Sequence, residues 1–532
     1  WKSIIINIAA STAFILHIEL QSFLKSVLMK ASGTCLYGIS KDKYAGTMEL
    51  PLSIFNTATK SMERVTLLKA GLARGYVCGL TPQSSMHVGH ARTIVFFDVF
   101  RRYLEYLGLD TRLVTNFTDV DDKIIEKARQ EFGDEAMERW YDVPKRYIEE
   151  YFKVVDALHV RRAYAYPKVT DNIGDMIKWI DMLIKKNAAY VSNGSVYFDI
   201  SRVPGYGDFS GQKIQDLEAG ARVEPEPGKK GSLDFALWKA WKEGEPWWSS
   251  PWSPGRPGWH LECVAMSTKY LGAPFDFHGG GQDLIFPHHE NEVAIARVAF
   301  GVKYFAKYWM HVGYVTMGGE KMSKSVGNVI TAKEALSRHD GETLRLYYMM
   351  THYRKPMEFT MEGLDSVQAT LRGLYASYDY VVQLINEAKD EERADDETVR
   401  TVVDYMVKIE QALNDDMNTP QAVSNLVSLS NYINSQVLYK GDKLTKYTLS
   451  TILNILGYAG QIFGIFNRTM LPPKLADAVN AMIKVRQRLR EAKLFDAADE
   501  IRRELENMGV VINDAGKRTY WFIDREKLTP AF

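Results

Sequence analysis

The stretch RGYVCGLTPQSSMHVGHARTIVFFDVFRRYLEYLG (residues 74–108) decides the fold class. Its first seven residues, RGYVCGL, form a mostly apolar run typical of a short strand, and the turn-prone TPQSS (81–85) follows. A helical pattern then begins at His90 and is closed by Gly108. Because TRLVTNF (111–117), which is typical of a second strand, comes next, the order is strand, turn, helix and strand. This βαβ unit predicts a parallel, doubly wound sheet in an α/β protein.

Further elements extend this plan along the chain. FDFHGGG (275–281) and YWMHVGYVTM (308–317) are typical of strands, whereas residues 122–200 have a mostly helical pattern. Residues 203–257 are rich in Gly, Pro and Trp and show little periodicity. Because tryptophan is frequent there, we expect an irregular insertion packed on the fold and not a disordered linker. Long amphipathic helices follow Phe359.

Size and composition set limits on the function. A chain of 532 residues predicts roughly three to four domains. Lys+Arg and Asp+Glu both number 66, so nucleic acid would be bound by local patches and not by an overall positive field. The three cysteines, Cys35, Cys78 and Cys263, exclude a disulfide framework and favour a reducing, cytosolic setting.

The first 47 residues differ from the rest. The apolar run 4–16 is interrupted by His17 and Glu19 before it reaches the roughly 20 residues that span a bilayer, so no membrane attachment is predicted. The segment is poor in acids, as transit peptides are, but it contains no arginine. We favour an over-extended reading frame with the true start at Met48, with a targeting leader as the alternative.

Two short motifs are suited to a polyphosphate. HVGH (87–90) opens the first long helix, where free N–H groups and the helix dipole favour an anion. KMSKS (321–325) follows two glycines and carries Lys321 and Lys324, which suits a loop that closes over phosphates. Taken singly, a solvated helix start and a basic surface loop explain them equally well.

The pair, in this order, resembles the two signature motifs of class I aminoacyl-tRNA synthetases, which share a Rossmann-type catalytic fold. The stretches between the motifs resemble one family in particular, the cysteinyl-tRNA synthetases, from about Leu50 to the end of the chain. They are YVCG (76–79), NFTDVDDKII (116–125), PGWHLEC (257–263), HGGGQDLIFPHHENE (278–292) and THYRKP (351–356).

A metal site is expected around HHENE. A helix that starts here puts His288 and Glu292 four residues apart on one face, whereas His289 points about 100° away. Cys78 and Cys263 complete a Cys, Cys, His, Glu set, which zinc accepts. The alternative is two buried cysteines and a capping histidine. A metalloprotease is excluded because the H-E-x-x-H order is absent.

The resemblance places metal ligands on the same four positions and implies one Zn²⁺ per chain, which selects the thiolate of cysteine over the hydroxyl of serine. It also implies that Thr118 and Trp259 line the cysteine pocket, although core packing is an alternative for Trp259. Asp283 is expected to contact the substrate amine or the ribose, with a helix cap as the alternative.

The resemblance further implies that ATP binds with Mg²⁺. The expected catalytic residues are His87 and His90, which stabilise the leaving pyrophosphate, and Lys324, which closes over it. The full set expected at ATP is His87, Gly89, His90, Gly280, Asp283, Lys321 and Lys324. The loop CGLTPQSSM departs from the family at Leu80, Ser84 and Ser85, and its Thr-Pro step resembles mycothiol cysteine ligase.

The resemblance implies a monomeric, cytoplasmic enzyme that activates L-cysteine with ATP and transfers it to tRNA(Cys). The alternatives are a cysteine:amino-sugar ligase of the mycothiol pathway and an inactive tRNA-binding paralogue. The domains expected are an extension (1–47), a Rossmann-type catalytic domain (48–345) with an insertion at about 125–255, a helical junction (346–390) and an all-α anticodon-binding bundle (391–532).

The C-terminal third distinguishes these alternatives, because the amino-sugar ligase lacks an anticodon-binding region. Tyr520 and Trp521 are candidates for base stacking, with core packing as the alternative. Basic residues near the end favour tRNA, although solvated helix faces explain them as well; they are Arg486, Arg488, Arg490, Lys493, Arg502, Arg503, Lys517 and Arg518.

Overall fold

The structure is a computed structural model, and it describes residues 47–213, 228–322, 327, 329–388, 395–467, 473–515 and 518–524. The predicted extension, apart from residue 47, lies outside these ranges, and so do Lys324 and Lys517. Within them, no helix is both long enough and apolar enough to span a membrane.

The strands are β1 (Met48–Asn56), β2 (Ser61–Leu67), β3 (Leu72–Leu80), β4 (Asp110–Phe117), β5 (Ala189–Ser192), β6 (Ser195–Phe198), β7 (Phe235–Ala240), β8 (Gly255–Pro257), β9 (Phe275–Gly281), β10 (Ala306–Val312), β11 (Val315–Met317), β12 (Glu320–Lys321), β13 (Met357–Glu358), β14 (Val510–Ala515) and β15 (Arg518–Ile523).

The main helices are α1 (Val88–Tyr106), α2 (Asp122–Phe132), α3 (Asp142–Ala157), α4 (Ile173–Lys185), α5 (Trp259–Leu271), α6 (Glu290–Phe300), α7 (Gly341–Met349), α8 (Met361–Glu387), α9 (Asp396–Asn414), α10 (Thr419–Tyr432), α11 (Lys446–Phe463), α12 (Pro473–Glu491) and α13 (Phe495–Asn507). Shorter helices cover Ala136–Arg139, Ala332–Leu336 and Leu438–Lys440.

The central sheet is parallel, with the strand order β10, β9, β3, β4. The predicted βαβ unit is confirmed, since α1 connects β3 to its neighbour β4. The chain leaves β3 towards β4 on one side and returns much later as β9 on the other. Because the direction of winding reverses between β3 and β9, the crevice at their carboxyl ends is where an α/β sheet of this kind binds its ligand.

The insertion is more regular than expected. Strands β5 to β8 form a four-stranded antiparallel sheet, so the segment predicted as irregular contains β7 and β8, and the segment predicted as mostly helical ends in β5 and β6. These strands are only three to six residues long. Such short strands cannot show a period of two, and the Gly and Pro of β8 have low strand propensity.

The C-terminal region is helical, as predicted, with one addition. After α12 and α13 the chain forms an antiparallel hairpin of β14 and β15, which packs against α8. Tyr520 and Trp521 lie on this hairpin and are only 3% and 5% exposed. The Trp521 indole donates to Asn480 Oδ1 at 2.8 Å. Core packing is therefore the role of both rings, and base stacking is not.

A buried charge cluster joins α1 to the helices beyond the sheet. Asp98 on α1 accepts from Arg102 Nε at 2.7 Å and lies 2.7 Å from Arg345 Nη2 on α7. Arg345 also donates to the carbonyls of Phe463 and Leu158. Burial raises the pKa of Asp98, but the two guanidinium groups outweigh burial and lower it. The carboxylate is therefore ionised and holds two buried cations.

Replacing this carboxylate should destabilise the protein strongly. Asp98→Asn leaves two buried guanidinium groups without their anion, so we expect a loss of about 3–5 kcal/mol in the free energy of unfolding, measured by urea denaturation. The matched control is Asp156→Asn, which breaks the exposed pair with Arg162 and should cost about 1 kcal/mol or less. Equal, small losses in both variants would contradict a structural role for the cluster.

Candidate active site and metal centre

A β-bulge at the end of β3 positions the first candidate ligand. The pairing with β4 shifts register between Val77 and Leu80, and the N–H of Gly79 donates to Asn116 Oδ1 at 2.9 Å. A Cβ at residue 79 would lie 1.6 Å from the Asn116 carbonyl oxygen, so only glycine fits. The bulge presents Cys78 at the carboxyl edge of the sheet, beside β9.

The four predicted metal ligands come together at this edge. Cys78 Sγ lies 3.7 Å from Cys263 Sγ on α5 and 3.6 Å from Glu292 Oε1 on α6. His288 Nε2 lies 2.8 Å from the same carboxylate oxygen. The four ligand atoms are all within 4.8 Å of one another, and all four residues are buried except Cys78, which is half-buried. The geometry could hold one ion.

The chemistry of this donor set fits a divalent metal. A hydrogen bond from the Cys78 thiol lowers the pKa of Cys263 to about 6, whereas burial raises that of Cys78. Although burial disfavours a charged imidazole, Glu292 and Cys263 raise the pKa of His288 to about 10. A protonated histidine therefore balances buried negative charge that a cation would otherwise balance. Two thiols, an imidazole and a carboxylate are ligands that zinc accepts.

His289 does not point away, and that expectation is wrong. Its Nε2 lies 3.2 Å from Cys78 Sγ, and it belongs to a second, overlapping ligand group with His278. The reason is local: residues 285–289 form a wide turn in which Phe286 is extended (φ −136°, ψ 134°), and α6 begins only at Glu290. The 100° spacing of a regular α-helix does not apply before that residue.

Behind the ligands lies a layer of histidines that the sequence analysis missed. His278 Nε2 lies 2.7 Å from Glu292 Oε2, so the two oxygens of this carboxylate are held by different histidines. His289 Nδ1 lies 2.7 Å from His311 Nε2, and His311 Nδ1 lies 2.8 Å from Thr57 Oγ1. The available signal was a histidine inside each of two buried strand patterns, β9 and β10.

Trp259 and Thr118 border the ligand group. Trp259 is 39% exposed, and its ring stacks on His288 with centroids 4.4 Å apart. The Trp259 ring therefore covers the candidate ligand His288 on the side that is open to solvent. Core packing, the alternative role for Trp259, is wrong. Thr118 is buried, and its hydroxyl donates to Glu262 Oε2 at 3.2 Å. Burial is the main cause, and the nearby Cys263 the second, that raises the pKa of Glu262 well above its usual value. The sequence did not predict Glu262 as a residue of this site.

HVGH forms the N-terminus of α1, as predicted. His87 is the N-cap, and its Nδ1 accepts from the backbone N–H of His90 at 3.2 Å. The two imidazoles are stacked 3.6 Å apart. Because Nδ1 is an acceptor, the neutral ring of His87 carries its proton on Nε2. The first turn contains no acid, so its N–H groups and this imidazole suit an anion.

The backbone at HVGH is bonded to the segment that follows KMSKS. Val88 N donates to the Ile330 carbonyl at 3.1 Å, and Ala332 N donates to the Met86 carbonyl at 2.7 Å. The residues just after KMSKS therefore pair with HVGH. Lys324 lies outside the described residues, and Lys321 is described only as part of β12.

The remaining predicted residues follow β9. Asp283 is exposed in the turn after the strand. Gly280 lies against the ligand group, because a Cβ there would be 3.6 Å from His289 Cε1 and 3.7 Å from Cys78 Cβ. The glycine predicted for ATP is thus also a wall of the candidate metal site.

Comparisons with known proteins agree with this arrangement. Residues 64–369 match the family model of the class I (C) tRNA synthetase catalytic domain, residues 408–467 match the DALR domain, and residues 472–521 match the cysteinyl-tRNA ligase anticodon-binding domain. The cysteine–tRNA ligase of Pyrobaculum islandicum is 55% identical over 473 residues, which cover 88% of this chain and 99% of that protein. The cysteine–tRNA ligase of Pyrococcus abyssi is 42% identical over 476 residues, covering 88% and 98%.

Solved structures show the same fold at low identity. Methionyl-tRNA synthetase of Mycobacterium tuberculosis in complex with methionyl-adenylate aligns with a TM-score of 0.54 and 13% identity, covering 74% of this chain and 89% of that one. Arginyl-tRNA synthetase of Thermus thermophilus aligns with a TM-score of 0.52 and 13% identity, covering 85% and 92%. The chain therefore belongs to the cysteine–tRNA ligase family of class I aminoacyl-tRNA synthetases.

Proposed function

We propose that this cysteine–tRNA ligase selects its amino acid with one zinc ion held by Cys78, Cys263, His288 and Glu292. The observation that carries this proposal is the convergence of these four donor atoms within 4.8 Å of one another, beside an exposed tryptophan that stacks on His288. When bound, zinc supplies a soft Lewis-acid contact that a substrate thiolate satisfies and a serine hydroxyl does not. Trp259 and Thr118 would then border the cysteine.

We propose that the N-terminus of α1, next to the metal site, binds the phosphates of ATP. The carboxylate of cysteine attacks the α-phosphate of ATP and pyrophosphate leaves. A terminal ribose hydroxyl of tRNA(Cys) then attacks the cysteinyl carbonyl of the adenylate, and AMP leaves. In our proposal His87 and His90, with Gly89 between them, orient and stabilise the phosphates, which arrive with Mg²⁺. Lys321 and Lys324 add positive charge, Gly280 borders the nucleotide, and Asp283 binds the substrate amine or the ribose.

We further propose the division into a catalytic domain (48–345, with its insertion at about 125–255), a junction (346–390) and an anticodon-binding region (391–532).

Fewer basic residues near the C-terminus are free to bind RNA than the sequence indicated. Arg486 is buried on Asp514, where Arg490 also donates, and Arg518 pairs with Glu387. Arg488, Lys493 and Arg503 are exposed, and Lys493 directly precedes the exposed apolar residues Leu494 and Phe495. Basic and apolar side chains together suit an RNA surface.

We also propose that the enzyme is a monomer in a reducing, cytoplasmic setting. Cys78 and Cys263 are free thiols 3.7 Å apart, which supports a reducing cytosol. The match to an anticodon-binding domain disfavours an amino-sugar ligase, and an inactive paralogue would not need the assembled ligand group.

Removing one thiolate should abolish metal binding and cysteine activation together. In Cys263→Ser the oxygen is a poor zinc ligand, so zinc content should fall from about one per chain to near zero, measured by mass spectrometry of the metal. Cysteine-dependent ATP–pyrophosphate exchange should fall with it. Ser267→Ala, which changes another buried residue of α5, is the control and should change neither. Full exchange activity without zinc would refute the selector role.

Removing the second lysine of KMSKS should slow the chemical step. For Lys324→Ala we expect adenylate formation to fall about 10²- to 10³-fold, the usual effect of losing one charge-stabilising donor, with the KM for cysteine nearly unchanged. Single-turnover kinetics separates the two quantities. The control is Lys333→Ala, an exposed lysine on the short helix after the motif. A change confined to the KM for cysteine would contradict this assignment.

Salt should separate the two half-reactions. Because tRNA binding releases counterions from several phosphates, raising KCl from 50 to 200 mM should weaken tRNA binding steeply, by about tenfold or more, measured by filter binding. Pyrophosphate exchange needs no tRNA and should change much less. The slope of log affinity for tRNA against log salt concentration should become shallower by about one in Lys493→Ala. Lys178→Ala, which changes an exposed lysine of the insertion, should leave this slope unchanged. An unaltered slope in Lys493→Ala would exclude that residue from the RNA surface.

A further inference from the structure

The hydroxyl of Tyr76 is buried next to the four proposed zinc ligands and has no hydrogen-bond partner among the described residues. A buried polar group without a partner is unfavourable, so its presence requires an explanation. Tyr76 is completely inaccessible to solvent, and the metal site as described above assigns it no role.

The strand geometry directs this residue to the ligands. Tyr76 precedes Cys78 by two positions on β3, so both side chains project from the same face of the strand. Helix α5, which carries Cys263, packs against β3, and Tyr76 and Cys263 belong to the same buried cluster. The tyrosine therefore lies beneath the two cysteines.

The ring of Tyr76 is fixed by His278, which also contacts Glu292. Tyr76 pairs with His278 across β3 and β9, and the two rings meet edge to face with centroids 5.4 Å apart. His278 Nε2 in turn lies 2.7 Å from Glu292 Oε2. A ring packed in this way cannot rotate its hydroxyl into solvent.

The groups around this hydroxyl are the proposed ligands Cys263, Cys78 and Glu292. The hydroxyl is directed towards the Cys263 sulfur, although the two do not form a hydrogen bond of ordinary geometry. Tyr76 is thus a buried donor next to a cluster of acceptors.

We propose that Tyr76 is a positioning residue whose hydroxyl donates a hydrogen bond to the Cys263 thiolate when the metal is bound. This inference rests on the proposed zinc site. Two thiolates and a carboxylate already outweigh the charge of one divalent ion, and the substrate brings a third thiolate. A donor to Cys263 withdraws charge from that sulfur, so the site tolerates the incoming thiolate better.

The test uses the full chain with Co²⁺ in place of zinc, because thiolate-to-cobalt charge transfer reports on the sulfur directly. In Tyr76→Phe the Cys263 sulfur keeps more charge, so the charge-transfer band should move to longer wavelength. Titration with cysteine, followed by the same absorption, should show about tenfold weaker binding, while the affinity for ATP stays the same.

The matched control is Tyr348→Phe, which removes another buried hydroxyl without a partner, remote from the ligands on α7. Its band and its affinity for cysteine should equal those of the unaltered protein. If Tyr76→Phe does not fold, Tyr76→Leu provides the same comparison.

Two outcomes overturn the proposal and differ in cause. If the unaltered protein binds neither zinc nor cobalt at this site, the proposed function fails and Tyr76 loses its role with it. If both proteins bind the metal but Tyr76→Phe behaves like the control, the metal site stands and only the role of Tyr76 is refuted.

Discussion

The rest of the site depends on the contacts of the Glu292 carboxylate. It is fully buried, and its two oxygens are held by His288 on one side and His278 on the other. Burial raises the pKa of Glu292, but these histidines outweigh burial and lower it well below its usual value. A buried carboxylate of this kind persists only where its oxygens have partners, so the wide turn before α6 and the histidine of β9 have to meet at one point.

The architecture of the sheet makes that meeting possible. The winding reverses between β3 and β9, and the crevice at their carboxyl ends receives Cys78 from the bulge, Cys263 from α5 and the turn before α6. The same crevice opens onto the start of α1, where His87 caps the helix. The proposed sites for amino-acid selection and for phosphate binding are therefore adjacent, because both lie at the ends of neighbouring parallel strands.

Much of this could be predicted from the sequence, where long periods or paired motifs carry the signal. The βαβ unit, the helix after HVGH and the gathering of Cys78, Cys263, His288 and Glu292 are confirmed. The inserted sheet and the β14–β15 hairpin could not be predicted, because their strands are too short to show a period. His289 was misplaced because the 100° rule presumes a regular helix, and the segment before Glu290 is not one. Partners such as His311 and Glu262 depend on distant strands and helices, which no local pattern encodes.

The bond between Cys78 and Glu292 spans 214 positions of the chain, and this separation has a consequence for folding. At about 5–20 residues per second, the ribosome needs roughly 10–40 s after it has made Cys78 to deliver the last ligand. For most of this interval the thiol belongs to a nascent chain whose central sheet lacks β9, and β10 is made only afterwards. The four proposed ligands therefore come together late in the biogenesis of the enzyme, after a slow, non-local strand pairing.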